Sequence, residues 1–302
     1  AEDCERKGDE LSVYRPVPKF ANVSFKGEDI RVGEAVLRLG ERLRPWHVGV
    51  LASIGRGRVK VKRRPVVGIF STGSELVDIA NAENRKKSDR IIDSTRPMMG
   101  GLLRELGCGV ADEGIVQDDL EKISSRLARL LGRVDLIITI GGTSVGGKDL
   151  VPEAAQLLSK PGIIFHGLAA KPGKPTGFGM LGEMPFFMLP GYPVSALIAF
   201  EVLIMPMLCS WLGQEVPTRK KVRAIMARRV PTTPGIRHFL RVTLSRRRGV
   251  LIATPLALTG SGLLSSITKA DGLVVIPEDL EGVEEGNEVE VELLRGGLSG
   301  AT

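Results

Sequence analysis

The 302-residue sequence is poor in cysteine, histidine and aromatic rings, and each shortage excludes a class of function. Its three cysteines, Cys4, Cys108 and Cys209, lie far apart, are odd in number and show no Cys-x-x-Cys spacing. That argues against a disulfide framework and a structural zinc site, and fits a reducing cytosol, so the expected location is cytoplasmic. His47, His166 and His238 are equally scattered, and no His/Cys metal cluster is expected. Aromatic residues make up only 4% of the chain. The basic runs Arg219-Lys220-Lys221 and Arg246-Arg247-Arg248 therefore lack interleaved stacking residues and read as solvated surface, so no nucleic-acid partner is expected. One stretch, Val194 to Leu212, is strongly apolar, but it contains Glu201 and Pro206 and has no basic flank of the kind that orients a spanning helix. It reads as a buried helix, with no membrane partner. Ala1 to Glu10 is charged and does not form a signal peptide.

The composition is otherwise that of a globular chain with a substantial core, 43% hydrophobic and 25% charged. A net charge of +7 favours anionic ligands without choosing among them. Three parts are expected. Residues 1–64 mix short strand-like pieces with one helical pattern from Pro45 to Ile54, too little for an independent core. The absence of an initial methionine suggests a missing N-terminal portion. Residues 65–213 alternate apolar strands with amphipathic helices, the pattern of a mostly parallel sheet with helices on both faces. Strands are expected at Val66 to Phe70, near Val110 to Val116, and at Asp135 to Ile140. One helix is expected to be capped by Ser94 and to run through Leu106, with Gly107 as its stop. A second runs from Asp118 to Leu131, with Asp118 and Glu121 as a capping box. After Leu212 the alternation ends. Short strands at Val222 to Met226, Phe239 to Leu244, Leu273 to Ile276 and Val289 to Leu293 point to a small all-β, barrel-like domain over 214–302.

The chemistry concentrates where the strands of the middle part end. Gly141-Gly142-Thr143-Ser144-Val145-Gly146-Gly147 follows an apolar strand and precedes a helix carrying Pro152, a form that brings bare backbone N–H groups and a helix N-terminus to a phosphate or oxyanion. The alternative is a tight strand-to-helix turn. Lys171-Pro172-Gly173-Lys174-Pro175 is a stiffened loop bearing two ammonium groups, read equally as an anion trap or an exposed basic turn. Glu75, Asp118 and Asp149 recur at strand ends, and carboxylates beside such a loop suit Mg²⁺. Each has a plainer reading: Asp118 and Asp149 as helix caps, Glu75 as a solvated side chain. Leu189-Pro190-Gly191-Tyr192-Pro193 sets a rigid turn before the next helix, where Ser195 either reaches a ligand or caps. No Ser/His/Asp or Cys/His arrangement suggests a side-chain nucleophile.

These motifs, in this order, resemble the molybdopterin molybdenumtransferases, a family that includes MoeA-like proteins and the E domain of gephyrin. The resemblance rests on Gly27-Glu28-Asp29, Ser71-Thr72-Gly73-Ser74-Glu75-Leu76, Gly114-Ile115-Val116-Gln117-Asp118-Asp119 and Gly141 to Gly146. It also rests on the Lys171 to Pro175 loop, Leu189 to Ala196, Gly260-Ser261-Gly262 and Ala270-Asp271-Gly272-Leu273. It implies a homodimer whose reaction is ligation of molybdate or tungstate by the dithiolene of adenylyl-molybdopterin, with Mg²⁺-dependent release of AMP. It further implies that Glu75, Asp118 and Asp149 hold metal or orient water, and that Lys171 and Lys174 hold phosphate or oxyanion. By the same resemblance Thr72, Gly141, Gly142, Thr143, Ser144, Gly146, Gly191 and Ser195 line the ligand, Pro190 and Pro193 shape the oxyanion pocket, and Asp29 supports the site from the N-terminal part. The chain lacks the family's Asp-Asn-Ser-Ala-Met-Asp-Gly segment. It has Gly167, Ser74 and Tyr192 where many members carry lysine, aspartate and asparagine. The nearest rival readings are adenylylation of molybdopterin by ATP and a non-catalytic pterin-binding scaffold.

Overall fold

The computed structural model describes residues 3–81, 90–142, 150–256 and 262–294. The chain divides into two units, Ala1–Lys60 and Val61–Thr302. In the first, Cys4–Lys7 and Glu10–Val13 form an antiparallel hairpin, and one helix spans Pro45–Ser53. Gly27, at φ 78°, turns the chain so that the Glu28 carboxylate accepts the Phe25 N–H at 2.8 Å. None of the described residues 3–60 is buried. Val32 and Leu39 are 100% and 98% exposed. Each such side chain forgoes about 1.5–3 kcal/mol of burial, so this unit has no core of its own.

The second unit is built on a six-stranded sheet. Strands β1 (Val66–Thr72), β2 (Gly109–Val116), β3 (Leu136–Ile140), β4 (Pro161–His166), β5 (Gly177–Leu181) and β6 (Met184–Leu189) lie in the order β2-β1-β3-β6-β5-β4. The pairs β2–β1, β1–β3 and β3–β6 are parallel, while β6–β5 and β5–β4 are antiparallel. Alternation along the strands separates two apolar layers. Val67, Ile69, Leu136, Ile138 and Ile140 face helix α1 (Thr95–Glu105) and the apolar helix after β6, whereas Phe70, Ile137 and Phe186 face α2 (Leu120–Leu130) and α3 (Leu150–Leu158). Helices thus cover both faces, as the alternation of strands and helices predicts.

Two caps differ from expectation. Helix α2 is capped by Asp119, whose carboxylate accepts the Lys122 N–H at 2.9 Å. This leaves Asp118, the expected cap, outside the helix. Ser94 stands at the N-cap of α1 without a side-chain bond, and the Asp93 carboxylate accepts the Arg96 N–H at 3.1 Å instead. In both cases a carboxylate reaches the first-turn N–H three residues on. The apolar stretch forms α4 (Pro193–Ala199), a π-helical turn Phe200–Ile204 and α5 (Met205–Leu212). The widened turn lies just ahead of Pro206, which has no N–H to donate. The whole span, with mean hydropathy 1.9, is long and apolar enough to cross a membrane, but Ile198, Phe200, Ile204 and Leu208 are buried in the core beneath the sheet.

Beyond α5, strands β7 (Lys221–Met226), β8 (Arg237–Arg247), β9 (Val250–Pro255), β10 (Gly272–Ile276) and β11 (Glu288–Leu293) close into a five-stranded barrel in the order β9-β7-β11-β10-β8, with β8 returning to β9. Val242, Ala253, Val274 and Val291 fill it. The hairpin β8–β9, turning at Arg248-Gly249, accounts for the Arg246 to Arg248 run. The other basic run is partly paired, Arg219 with Glu201 and Lys221 with Glu290 at 2.6 Å. The three cysteines are free, and burial followed by the proximity of Cys209 pushes the Cys108 thiol up to about 11.

Candidate active site

In an open α/β sheet, ligands bind beyond the carboxyl ends of the parallel strands. Here the ends of β1, β2, β3 and β6 carry Thr72 to Glu75, Gln117-Asp118, Gly141-Gly142 and Pro190-Gly191. The first two loops are tied together. The Gly73 N–H donates to Val116 O at 3.2 Å, the Ser74 N–H donates to Asp118 Oδ2 at 2.9 Å, and the Asp118 N–H returns to Ser74 Oγ at 3.3 Å. Asp118 therefore uses one carboxylate oxygen to hold the neighbouring loop. Glu75 is exposed, and its carboxylate folds back to 2.9 Å from where a Cβ on Gly73 would stand.

The glycines after β3 make room for close approach. Gly141 has φ 88° and Gly142 φ 66°. A Cβ on Gly141 would lie 2.5 Å from Thr72 O, and one on Gly142 would lie 2.7 Å from Thr72 Oγ1. No L side chain fits either position without displacing the backbone or Thr72. The Gly141 N–H donates to Leu189 O at 2.9 Å, and Gly191 stands 3.7 Å, measured from its Cβ position, from Gly141 Cα. Thr72 Oγ1 lies at the base of this cradle, and both it and the neighbouring buried hydroxyl Ser71 Oγ have no hydrogen-bond partner among the described residues. A buried hydroxyl left unsatisfied costs about 1–3 kcal/mol.

The turn after β6 is fixed by Thr95, whose hydroxyl donates to Gly191 O at 2.7 Å. Pro190 is buried, Tyr192 is the N-cap of α4, Pro193 opens the helix, and Ser195 lies buried in its first turn rather than capping it. The lysine loop lies against that turn, since a Cβ on Gly173 would stand 3.7 Å from Ser195 O. Ala170–Lys171 also pairs in parallel with Arg237-His238 of β8, which joins the loop to the barrel. Lys171 and Lys174 are both exposed. His238 is held below the ordinary histidine range by burial and by the charge of Lys171.

The structure thus brings Thr72, Gly141, Gly142, Gly191 and the Ser195 turn into one edge, with Glu75 and Asp118 on the adjoining loops. Thr143, Ser144, Gly146 and Asp149 lie outside the described residues. Asp29 is exposed in the N-terminal unit. Among the described residues no three of His, Cys, Asp and Glu converge as a metal cluster. Sequence reasoning missed Thr95 and a buried ionic group around Arg96. Its guanidinium reaches Asp93 through Nε at 3.0 Å, Asp112 through Nη1 at 2.5 Å, and Asp78 through Nη2. The available signal was the Asp93 to Arg96 spacing at a helix start.

Three families match the chain in order: MoeA N-terminal region (domain I and II) over residues 1–55, probable molybdopterin binding domain over 68–209, and MoeA C-terminal region (domain IV) over 223–294. A molybdopterin biosynthesis protein of Methanocaldococcus jannaschii is 36% identical, covering 97% of this chain and 71% of the relative. The molybdopterin molybdenumtransferase of Bacillus subtilis is 31% identical over 94% of this chain, which spans 65% of that relative's length. The crystal structure of a MoeA molybdopterin biosynthesis protein from Pyrococcus horikoshii superposes with a TM-score of 0.76 at 35% identity, covering 98% of this chain and 71% of that one. With these three regions in order along the sequence, the chain belongs to the MoeA family of molybdopterin molybdenumtransferases, proteins of molybdenum cofactor biosynthesis.

Proposed function

We propose that the chain inserts molybdate or tungstate into adenylylated molybdopterin with release of AMP, and that the carboxyl edge of the central sheet carries the reaction. The observation that carries this reading is the unsatisfied Thr72 hydroxyl beneath the Gly141-Gly142 cradle, with two carboxylates on the loops beside it. Bare N–H groups and a floor hydroxyl suit phosphate oxygens, and the adjoining lysine loop offers the charge to bring an oxyanion dianion beside a pyrophosphate. Water adds across the P–O–P bond. AMP leaves with one phosphate, the other stays on the pterin side, and the two dithiolene sulfurs bond the metal of the oxyanion as one oxide leaves as water with the two thiol protons.

Glu75, Asp118 and Asp149 would supply oxygen donors of the kind Mg²⁺ takes. The ion when bound supplies neutralisation of pyrophosphate charge and a more acidic water. Glu75 would orient that water and accept its proton, while Lys171 and Lys174 would hold the oxyanion or phosphate and Pro190 and Pro193 would shape its pocket. Thr143, Ser144, Gly146 and Ser195 would extend the phosphate contacts. The chain is proposed to act in the cytoplasm as a homodimer. The uncovered apolar side chains of residues 1–60 support a second copy as their cover.

The test is AMP release from adenylylated molybdopterin with Mg²⁺ and molybdate, tungstate in parallel, following ATP consumption separately. Oxyanion-dependent AMP release that is lost in Asp149→Ala supports the reading. ATP-dependent adenylylation, or tight pterin binding without release, replaces it with the earlier step or a scaffold role.

A further inference from the structure

Arg96 occupies a position that the chemistry above does not use. It is 5% exposed, sits in the first turn of α1, and faces three carboxylates. Two of them flank a small parallel bridge in which Leu76-Val77 pairs with Ile91-Ile92. Asp78 follows the first strand of that bridge and Asp93 follows the second. The third, Asp112, belongs to β2, an edge strand of the sheet. Each nitrogen of the planar guanidinium serves a different carboxylate, so one side chain joins both strands of the bridge to the sheet. The bridge is continuous with the site: the Ile91 N–H donates to Glu75 O at 2.8 Å, and the Asp93 N–H donates to Val77 O at 2.9 Å.

We propose that Arg96 is the positioning residue for Glu75. Its three-way clamp on Asp78, Asp93 and Asp112 holds the bridge that sets where the Glu75 carboxylate stands. The inference rests on the assignment of Glu75 to the site. Lysine does not replace this arginine, because one ammonium lacks the fork that reaches three separated carboxylates. Without the clamp, Glu75 keeps its chemistry and loses its placement, which lowers turnover more than substrate affinity.

The test uses Asp78→Asn, which removes one charged arm at a residue whose side chain is 35% exposed and whose retained oxygen can still accept the Ala80 N–H. Arg96→Lys serves as the second variant. Hydrogen exchange, Mn²⁺ binding and AMP-release kinetics are measured on the full chain. Both variants are expected to exchange the Ile91 and Asp93 amides about tenfold faster, with Ile138 in β3 unchanged. Mn²⁺ affinity is expected to fall about tenfold, and kcat to fall while KM for the pterin nucleotide holds. Unchanged exchange at Ile91 and Asp93 overturns the clamp. Local loosening with unaltered Mn²⁺ affinity and kcat overturns its link to Glu75. If the wild-type chain releases no AMP, the functional reading fails, and the exchange measurement still decides the clamp.

Discussion

The two ends of the central sheet treat their polar groups in opposite ways. At the amino end, Asp135 precedes β3 and is fully used: Arg63 donates to its two oxygens at 2.8 and 2.5 Å, and the Val66 N–H adds a third bond at 2.8 Å, fixing the start of β1. At the carboxyl end of the same two strands, the buried Ser71 and Thr72 hydroxyls have no partner among the described residues, and Gly141 and Gly142 pack on Thr72 with no room for a Cβ. One end satisfies its own polar groups, and the other does not. The satisfied end stabilises the fold, and the end with unsatisfied groups is the one to which the proposed chemistry is assigned.

That contrast makes separable predictions. The largest effect is expected from Glu75→Gln, an exposed change at the unsatisfied end. AMP release should fall by about two orders of magnitude or more, while the denaturation midpoint moves little; a midpoint shift matching the activity loss would make Glu75 structural. Next is Gly142→Ala, which forces a Cβ to 2.7 Å from Thr72 Oγ1 at φ 66°. It should cost about 1–2 kcal/mol in urea unfolding and weaken pterin-nucleotide binding further still, as read by calorimetry. At the satisfied end, Asp135→Ala leaves the Val66 N–H unpaired and should cost about 1–2 kcal/mol of stability with KM and kcat unchanged in the folded protein.

The smallest effect is a pH dependence. Asp135 is held below the ordinary carboxylate range by the Arg63 hydrogen bonds, against burial, with help from the Val66 N–H and the Arg63 charge. A carboxyl depressed in the folded state contributes stability above its unfolded pKa, about 3.9, and loses it as pH falls through the lower folded value. The midpoint difference between the wild type and Asp135→Asn should therefore be flat above about pH 5 and shrink below about pH 4.

Much of this organisation was legible in the sequence, for identifiable reasons. Continuous apolar runs such as Leu136–Ile140 mark strands buried on both faces, and the helical spacing of Ile123, Leu127 and Leu130 marks α2. The glycine pair after β3 and the Pro190-Gly191 turn announced tight turns at the strand ends because glycine and proline carry backbone information locally. The hairpin strands β4 to β6 were not named in advance, since Pro161, Gly177, Gly179, Gly182 and Pro185 interrupt the strand pattern that long-range pairing restores. Strand β9 was likewise concealed behind the arginine run before its turn. Only the Asp93 arm of the Arg96 clamp was legible, by its spacing at the helix start, because Asp78 and Asp112 approach through tertiary folding.

The central claim is that the unsatisfied end of the sheet is unsatisfied for a ligand. Thr72→Val tests it most directly, by replacing the unpartnered hydroxyl with a methyl of similar volume. Affinity for adenylylated molybdopterin and unfolding free energy are measured on the same sample. The account predicts a variant about 1 kcal/mol more stable that binds the nucleotide about tenfold more weakly. Unchanged affinity in a variant of altered stability would contradict it and leave the hydroxyl an incidental feature of the fold.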